Sequence, residues 1–209
     1  MLRFAACALL LLAVAHHAVA ADAVPLFNGK NLDGWKAIDG PMSSWHVEDG
    51  ILFCSGGGGG WLSTTKEYGD FEIELEFRVP AGGNSGVFLR APHEGNPAFA
   101  GMEVQVLDDR APEYANLMPG QYCGSVYGIT PPKTRVSKPA GEWQTMKIIC
   151  QGREVQVFLN GTEISKTNLD NEQKHATEHP GINRKTGYIG LQNHGTRLDY
   201  KNIRVRELN

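Results

Sequence analysis

Phe71-Glu72-Ile73-Glu74-Leu75-Glu76-Phe77-Arg78-Val79 alternates apolar and charged residues without a break. Successive strand side chains point to opposite faces, so the odd-numbered residues meet a core and the even-numbered ones meet water. That pattern belongs to an antiparallel sheet with one wet face. Outward from it, the same signals recur. Trp45–Cys54 reads as two strands around an Asp49-Gly50 turn, and Glu154–Leu159 and Thr162–Ser165 as two strands around Asn160-Gly161. Asp-Gly and Asn-Gly are the preferred two-residue hairpin turns. Trp143–Cys150, Gly187–His194 and Leu198–Val205 supply further strands, and no stretch sustains a 3.6-residue period. The expected fold is all-β: a sandwich of two antiparallel sheets, in which a jelly-roll curvature makes one outer face concave and able to hold a ligand.

Residues 1–20 stand apart from this pattern. A basic start at Arg3, an apolar run from Phe4 to Ala15 and Ala18-Val19-Ala20 form a secretory leader cut near Ala20, with an apolar run too short to span a membrane. Cys7 lies too early in the leader for a lipid anchor. The expected location is periplasmic or extracellular, with residues 21–209 as one domain. Losing Arg3 leaves 19 basic against 23 acidic residues, a net charge of about −4, which argues against nucleic acid and against anionic membranes as partners. Cys54, Cys123 and Cys150 remain, allowing one disulfide with a leftover thiol, or three buried thiols.

Two stretches read as loops, 91–100 and the Pro- and Gly-rich 110–140; long loops in a compact domain are commonly rims or lids of a site. Residues 168–179 could hold a turn or two of helix. The run Gly56–Gly60 lacks the Gly-Lys-Ser/Thr and the following helix of a phosphate loop, so a flexible loop near a ligand, or close backbone approach, is the better reading.

Three strands carry polar residues on the face opposite their apolar set. In Asn84–Arg90, Asn84, Gly86, Phe88 and Arg90 share a parity. In Met102–Asp108, Glu103 and Gln105 oppose Met102, Val104 and Val106. In Gly187–His194, Gln192 and His194 oppose Ile189 and Leu191. Were these strands neighbours, acid, imidazole, guanidinium and amides would form one patch of the kind a sugar requires. The plainer reading of each is a solvated strand face; for Asp108 it is a turn cap.

Leu26-Phe27-Asn28-Gly29-Lys30-Asn31-Leu32-Asp33-Gly34-Trp35, Trp45–Gly50, Tyr68–Glu72, Gly83–Arg90, Met102–Asp108, Lys138–Trp143, Val157–Gly161 and Gly190–Gly195 together resemble the 3-keto-disaccharide hydrolase family, long known as a domain of unknown function in exported bacterial proteins. The resemblance spans nearly the whole mature chain, departing where Met102 stands for the family's usual aromatic. It implies a concanavalin-like sandwich acting on glycosides already oxidised at C3. A C3 ketone acidifies the C2 proton and sets the glycosidic oxygen up for elimination, which needs a base, an enolate-stabilising group and a proton donor. The expected roles are Glu103 or His194 as base or acid and Arg90 as oxyanion stabiliser. Asn84, Gln105 and Gln192 would bind sugar hydroxyls, with Lys66 and Asp108 as further ligands. No cofactor is required; a divalent ion could sit on Glu103 and His194. A separate oxidoreductase would make the keto sugar. A carbohydrate-binding module and a cell-surface interaction domain are the competing readings, since fold alone does not fix function.

Overall fold

The computed structural model describes residues 22–208; the leader and Cys7 lie outside them. In chain order the strands are β1 (Val24–Pro25), β2 (Trp35–Ile38), β3 (Trp45–Glu48), β4 (Ile51–Cys54), β5 (Trp61–Tyr68), β6 (Phe71–Arg78) and β7 (Asn84–Ala91). After a one-turn helix, α1 (Pro97–Ala100), come β8 (Met102–Leu107), β9 (Gln144–Gln151), β10 (Glu154–Leu159), β11 (Thr162–Asn168), β12 (Gly187–Gln192) and β13 (Leu198–Glu207). They form two antiparallel sheets. One is eight-stranded, ordered β11-β10-β9-β6-β13-β4-β3 with β1 also on β13; the other is five-stranded, ordered β2-β5-β12-β7-β8. The expected sandwich is what forms.

The opening stretch becomes β6, between β9 and β13 in the larger sheet. Phe71, Ile73, Leu75 and Phe77 are at most 1% exposed. Burying side chains of this size contributes about 1.5–3 kcal/mol each, so β6 anchors its sheet. On its wet face, Glu72 pairs with Arg206 at 2.9 Å and Glu76 with Lys201 at 3.3 Å across to β13. The inner faces of both sheets meet in one core, where Met102, Val104, Val106, Ile189 and Leu191 pack with the β6 set. One polar link crosses it: Ser85 Oγ donates to the Gln192 carbonyl at 2.7 Å and accepts from the Tyr200 hydroxyl at 2.7 Å. That ties β7, β12 and β13 together beneath the outer face of the smaller sheet.

Both hairpins form as expected, with Asp49 and Gly50 at φ 51° and 76° and Asn160 and Gly161 at 51° and 82°. Residues 168–183 hold two short 3-10 turns, not an α-helix. The three cysteines are buried free thiols; burial raises Cys123 to about 12 and Cys150 to about 11, so neither is a thiolate at neutral pH. Among the described residues no helix is long and apolar enough to cross a membrane.

The loop 110–140 is not a detached lid. It lies along the free edge of β8: Gln105 N donates to Ser125 O at 3.1 Å, Gly124 N to Gln105 O at 2.8 Å and Tyr127 N to Glu103 O at 2.8 Å. Pairing this edge satisfies backbone groups that would otherwise be open to another chain, and it brings Tyr127 to the strand that carries Glu103.

Candidate active site

A cavity of about 220 Å³ opens on the outer face of the five-stranded sheet. Five of the residues expected from parity line it: Asn84, Glu103, Gln105, Gln192 and His194. The order β12-β7-β8 puts their strands side by side. His194 lies two residues past the end of β12 and is exposed.

Glu103 sits at the centre of this arrangement and is only 3% exposed. Burial alone pushes its carboxyl up to about 8 from an ordinary 4.5, because the charged form loses hydration. Such a group is a stronger base than a solvated glutamate, and near pH 7 it is also largely protonated. Its side chain lies over the neighbouring Gly86, where a Cβ would come within 1.9 Å of Glu103 Oε1. Gln105 Nε2 donates to Asn84 Oδ1 at 2.8 Å, fixing both amides and leaving the Asn84 nitrogen for a ligand. Gln192 Oε1 is buried with no partner among the described residues, a state that typically costs about 1–3 kcal/mol until a donor arrives.

The segment 193–195 is clamped to the glycine run. Asn193 Nδ2 donates to Gly57 O at 2.6 Å and Gly59 O at 3.1 Å, and Asn193 N to Gly60 O at 2.9 Å. All five glycines from Gly56 to Gly60 have φ between 65° and 78°, a left-handed run that side-chain-bearing residues resist. Close backbone approach beside the site is therefore the role of this run.

Three expected site residues lie elsewhere. Arg90 is 1% exposed and turned away from the cavity. It donates to Gly69 O at 2.9 Å, Gly152 O at 3.0 Å, Arg184 O at 3.2 Å and Asp70 Oδ1 at 2.9 Å. The parity rule fails because β7 carries a bulge: Tyr188 pairs Ala91 but Gly190 pairs Phe88, and the extra residue includes Arg90 at φ 49°. Lys66 follows a similar irregularity in β5, is exposed, and pairs with Glu207. Asp108 caps a turn, accepting from Gly82 N at 3.0 Å and Arg110 N at 3.2 Å. Arg90→Ala is thus expected to cost at least about 1–3 kcal/mol in denaturant unfolding, since three backbone carbonyls and the part-exposed Asp70 carboxylate lose their donor. Turnover per folded molecule should be unchanged, whereas an oxyanion role would abolish it.

Other lining residues escape the strand-parity reading. Phe99 belongs to α1 and Asn96 is its N-cap, Asn96 Oδ1 accepting from Ala98 N at 3.0 Å while Pro97 opens the helix. Asn-Pro before a short apolar run is a readable helix-start signal, but nothing local shows that this turn covers β8. Tyr114, Gln121 and Tyr127 arrive on the long loop. Tyr127 Oη accepts from Gln121 Nε2 at 3.1 Å, leaving its proton free for a ligand. No Lys or Arg lines the cavity. Glu103 and His194 are the only His, Cys, Asp or Glu in its lining, and no group of three or more such residues that could hold a metal ion occurs among the described residues.

Known proteins resemble this chain in sequence and in fold. The family model described as a 3-keto-alpha-glucoside-1,2-lyase-like domain matches residues 22–206. A 3-keto-disaccharide hydrolase of Bacteroides thetaiotaomicron is 28% identical over 226 aligned positions, covering 88% of this chain and 78% of that protein. A crystal structure from Parabacteroides distasonis, described as a glycosyl hydrolase candidate, superposes with TM-score 0.79 at 28% identity over 90% of this chain and 94% of that one. A carbohydrate-binding module of Bacillus subtilis shares the fold alone, with TM-score 0.55 and 14% identity over 83% of this chain and 96% of that one.

Proposed function

The chain belongs to the 3-keto-alpha-glucoside-1,2-lyase-like family, and from that premise we propose that it cleaves glycosides carrying a ketone at C3 of the sugar. It is a hydrolase of glycosidase type, in keeping with the relative from Bacteroides. The observation that carries the reading is Glu103, a buried carboxyl raised to about 8 in a cavity lined by amides. A buried acid on the floor of a polar cavity is the arrangement that general acid–base chemistry uses.

The Glu103 carboxylate takes the C2 proton, and the electron pair of the C2–H bond moves to the C3 oxygen as an enolate. The enolate collapses, expelling the C1 oxygen substituent, to which His194 delivers a proton. The remaining 1,2-unsaturated ketone takes up water at C1 and a proton at C2, so the net change is hydrolysis. With Arg90 removed from this role, the enolate oxygen depends on hydrogen-bond donors lining the cavity, namely Asn84, Gln192 and the Tyr127 hydroxyl. Gln105 acts through Asn84, holding its amide.

Of the side chains that build catalytic zinc sites, a divalent ion would have only Glu103 and His194 here, fewer than the three protein ligands typical of such sites. Turnover is therefore expected to survive a chelator. Because the ketone must be installed first, an oxidoreductase acting on the same sugar supplies the substrate. The secretory leader expected from the sequence in residues 1–20 would put both steps outside the cytoplasm. The direct test incubates the protein with a 3-keto-disaccharide and its unoxidised parent, with and without EDTA, and analyses products. Cleavage of the keto sugar alone is expected; saturable binding of the parent without cleavage of either would mean a binding module.

A further inference from the structure

Two further cavities share lining residues with the first, and His194 distinguishes them. The one beyond Gln121 and Tyr127 lacks it. The other, of about 240 Å³, adjoins the first through Asn96, Gln192 and His194 and extends over Asp39, Trp61 and Phe88. The group assigned to protonate the leaving oxygen thus stands at the junction of two cavities, with Glu103 in only one of them. Trp61 of β5 pairs with Gln192 of β12. Directly opposed residues share a sheet face, so the indole lies on the face that carries the site. With Phe88, Ala91 and Ala98 it forms a small apolar cluster apart from the main core. Phe88 meets the ring edge-on at 5.5 Å and 82°, and His93 flanks it at 5.7 Å and 44°. A Cβ on Gly190 would overlap Cε3 and Cζ3 of the indole, so that edge faces the glycine, and Nε1 is on the opposite long edge of the ring. Trp61 is 2% exposed, and its Nε1 has no hydrogen-bond partner among the described residues. A buried indole N–H usually finds an acceptor; this one lacks one beside a cavity.

We propose that the cavity beside Trp61 is the leaving-group subsite, and that Trp61 Nε1 selects among leaving groups by donating to one of their hydroxyl oxygens. The inference rests on the proposed function, since it takes Glu103 and His194 in the roles given above. With the keto ring over Glu103, the C1–O bond lies at the Asn96–Gln192–His194 junction, and the leaving group falls beyond it against Trp61. The two cavities are of nearly equal volume, about 220 and 240 Å³, as two sugar rings of one size require. An apolar wall of Trp61, Phe88 and Pro97 with a few convergent polar groups is the make-up of a specific ligand pocket. Gln192 Oε1, buried and equally unpartnered, adds an acceptor at the junction, and the exposed Asp39 adds a carboxylate at the rim. One donor facing acceptors suits hydroxyl groups, which accept and donate at once. An alkyl leaving group would keep the indole N–H unpaired, and a site built to hydrogen-bond a hydroxyl rejects the analogue without it.

The test compares three α-glucosides oxidised at C3 of the glucosyl ring, whose leaving groups are glucose (as in maltose), cyclohexanol and methanol. KM is the readout, because leaving-group acidity acts on kcat. For the wild type, KM should be about tenfold lower for the maltose derivative than for the cyclohexyl glycoside, whose ring has a similar size and no hydroxyls. Trp61→Phe keeps an aromatic ring and removes the N–H. It should raise KM for the maltose derivative about tenfold and leave the cyclohexyl and methyl glycosides nearly unchanged. A variant that raises KM for all three alike would show that Trp61 only supports the shape of the site, and the proposal fails. Should the variant not fold, the wild type decides alone: equal KM for the glucosyl and cyclohexyl leaving groups overturns the proposal. In both cases the keto sugars are still cleaved, and the catalytic reading stands. If the wild type cleaves none of the three, the catalytic reading fails and the leaving-group subsite with it.

Discussion

Glu103→Gln is expected to lose about 10³-fold or more in turnover of a 3-keto-glucoside, the upper part of the range for a general base, without loss of fold. Gln keeps the shape and removes only the titrating proton. The wild-type pH profile carries the same signature. If the ionised carboxylate is the base, kcat/KM rises with pH toward a midpoint near 8 and levels above it. The variant should lose that rise.

Stability moves the other way with pH. The unfolded chain releases the Glu103 proton near 4.5, and the folded chain keeps it to about 8. Between these values the folded state binds more protons, so this residue's contribution falls as pH rises. Below 4.5 there is no penalty; above 8 it is fully present, at roughly 3–5 kcal/mol. Gln carries no such term, so the variant should outmelt the parent at pH 9 and match it near pH 5. Parallel melting curves across that range would mean that the folded carboxyl titrates normally.

Gly86→Ala should be nearly as damaging to turnover by a different route. The new Cβ would lie 1.9 Å from Glu103 Oε1 and 2.6 Å from its Cδ, so the carboxyl and its stem must move. A misplacement of about 1 Å can cost around 10²-fold, and that loss is expected in kcat. Overpacking costs about 1–3 kcal/mol, partly offset by the lower chain entropy of Ala in the unfolded state. Circular dichroism should therefore report a folded protein. Near-normal turnover in a folded Gly86→Ala variant would show that the present Glu103 position is not the reactive one.

The contrast between Glu103 and Arg90 shows what sequence could and could not reveal. In β8 the alternation of Met102, Val104 and Val106 with Glu103 and Gln105 is unbroken, so parity alone assigned each side chain to its face. In β7 the same rule placed Arg90 beside them and failed, because one inserted residue reverses every face beyond it and a bulge leaves no period of its own. The adjacency of β12, β7 and β8 depends on long-range pairing, which no single strand's pattern carries, and it is present. Phe99, Gln121 and Tyr127 could not be read at all. They reach the cavity through a short helix and a loop that pairs with an edge strand, and neither has a local pattern naming its partner.

One measurement bears most directly on Glu103 as the base of an elimination. A 3-keto-disaccharide is turned over in D₂O, with a control lacking protein, and the products are analysed for label at C2. The account predicts enzyme-dependent release of the aglycone with one deuterium at C2 of the hydrated keto sugar, and loss of both release and label in Glu103→Gln. Aglycone release that leaves the original C2 proton in place would mean direct displacement at C1 and would contradict it.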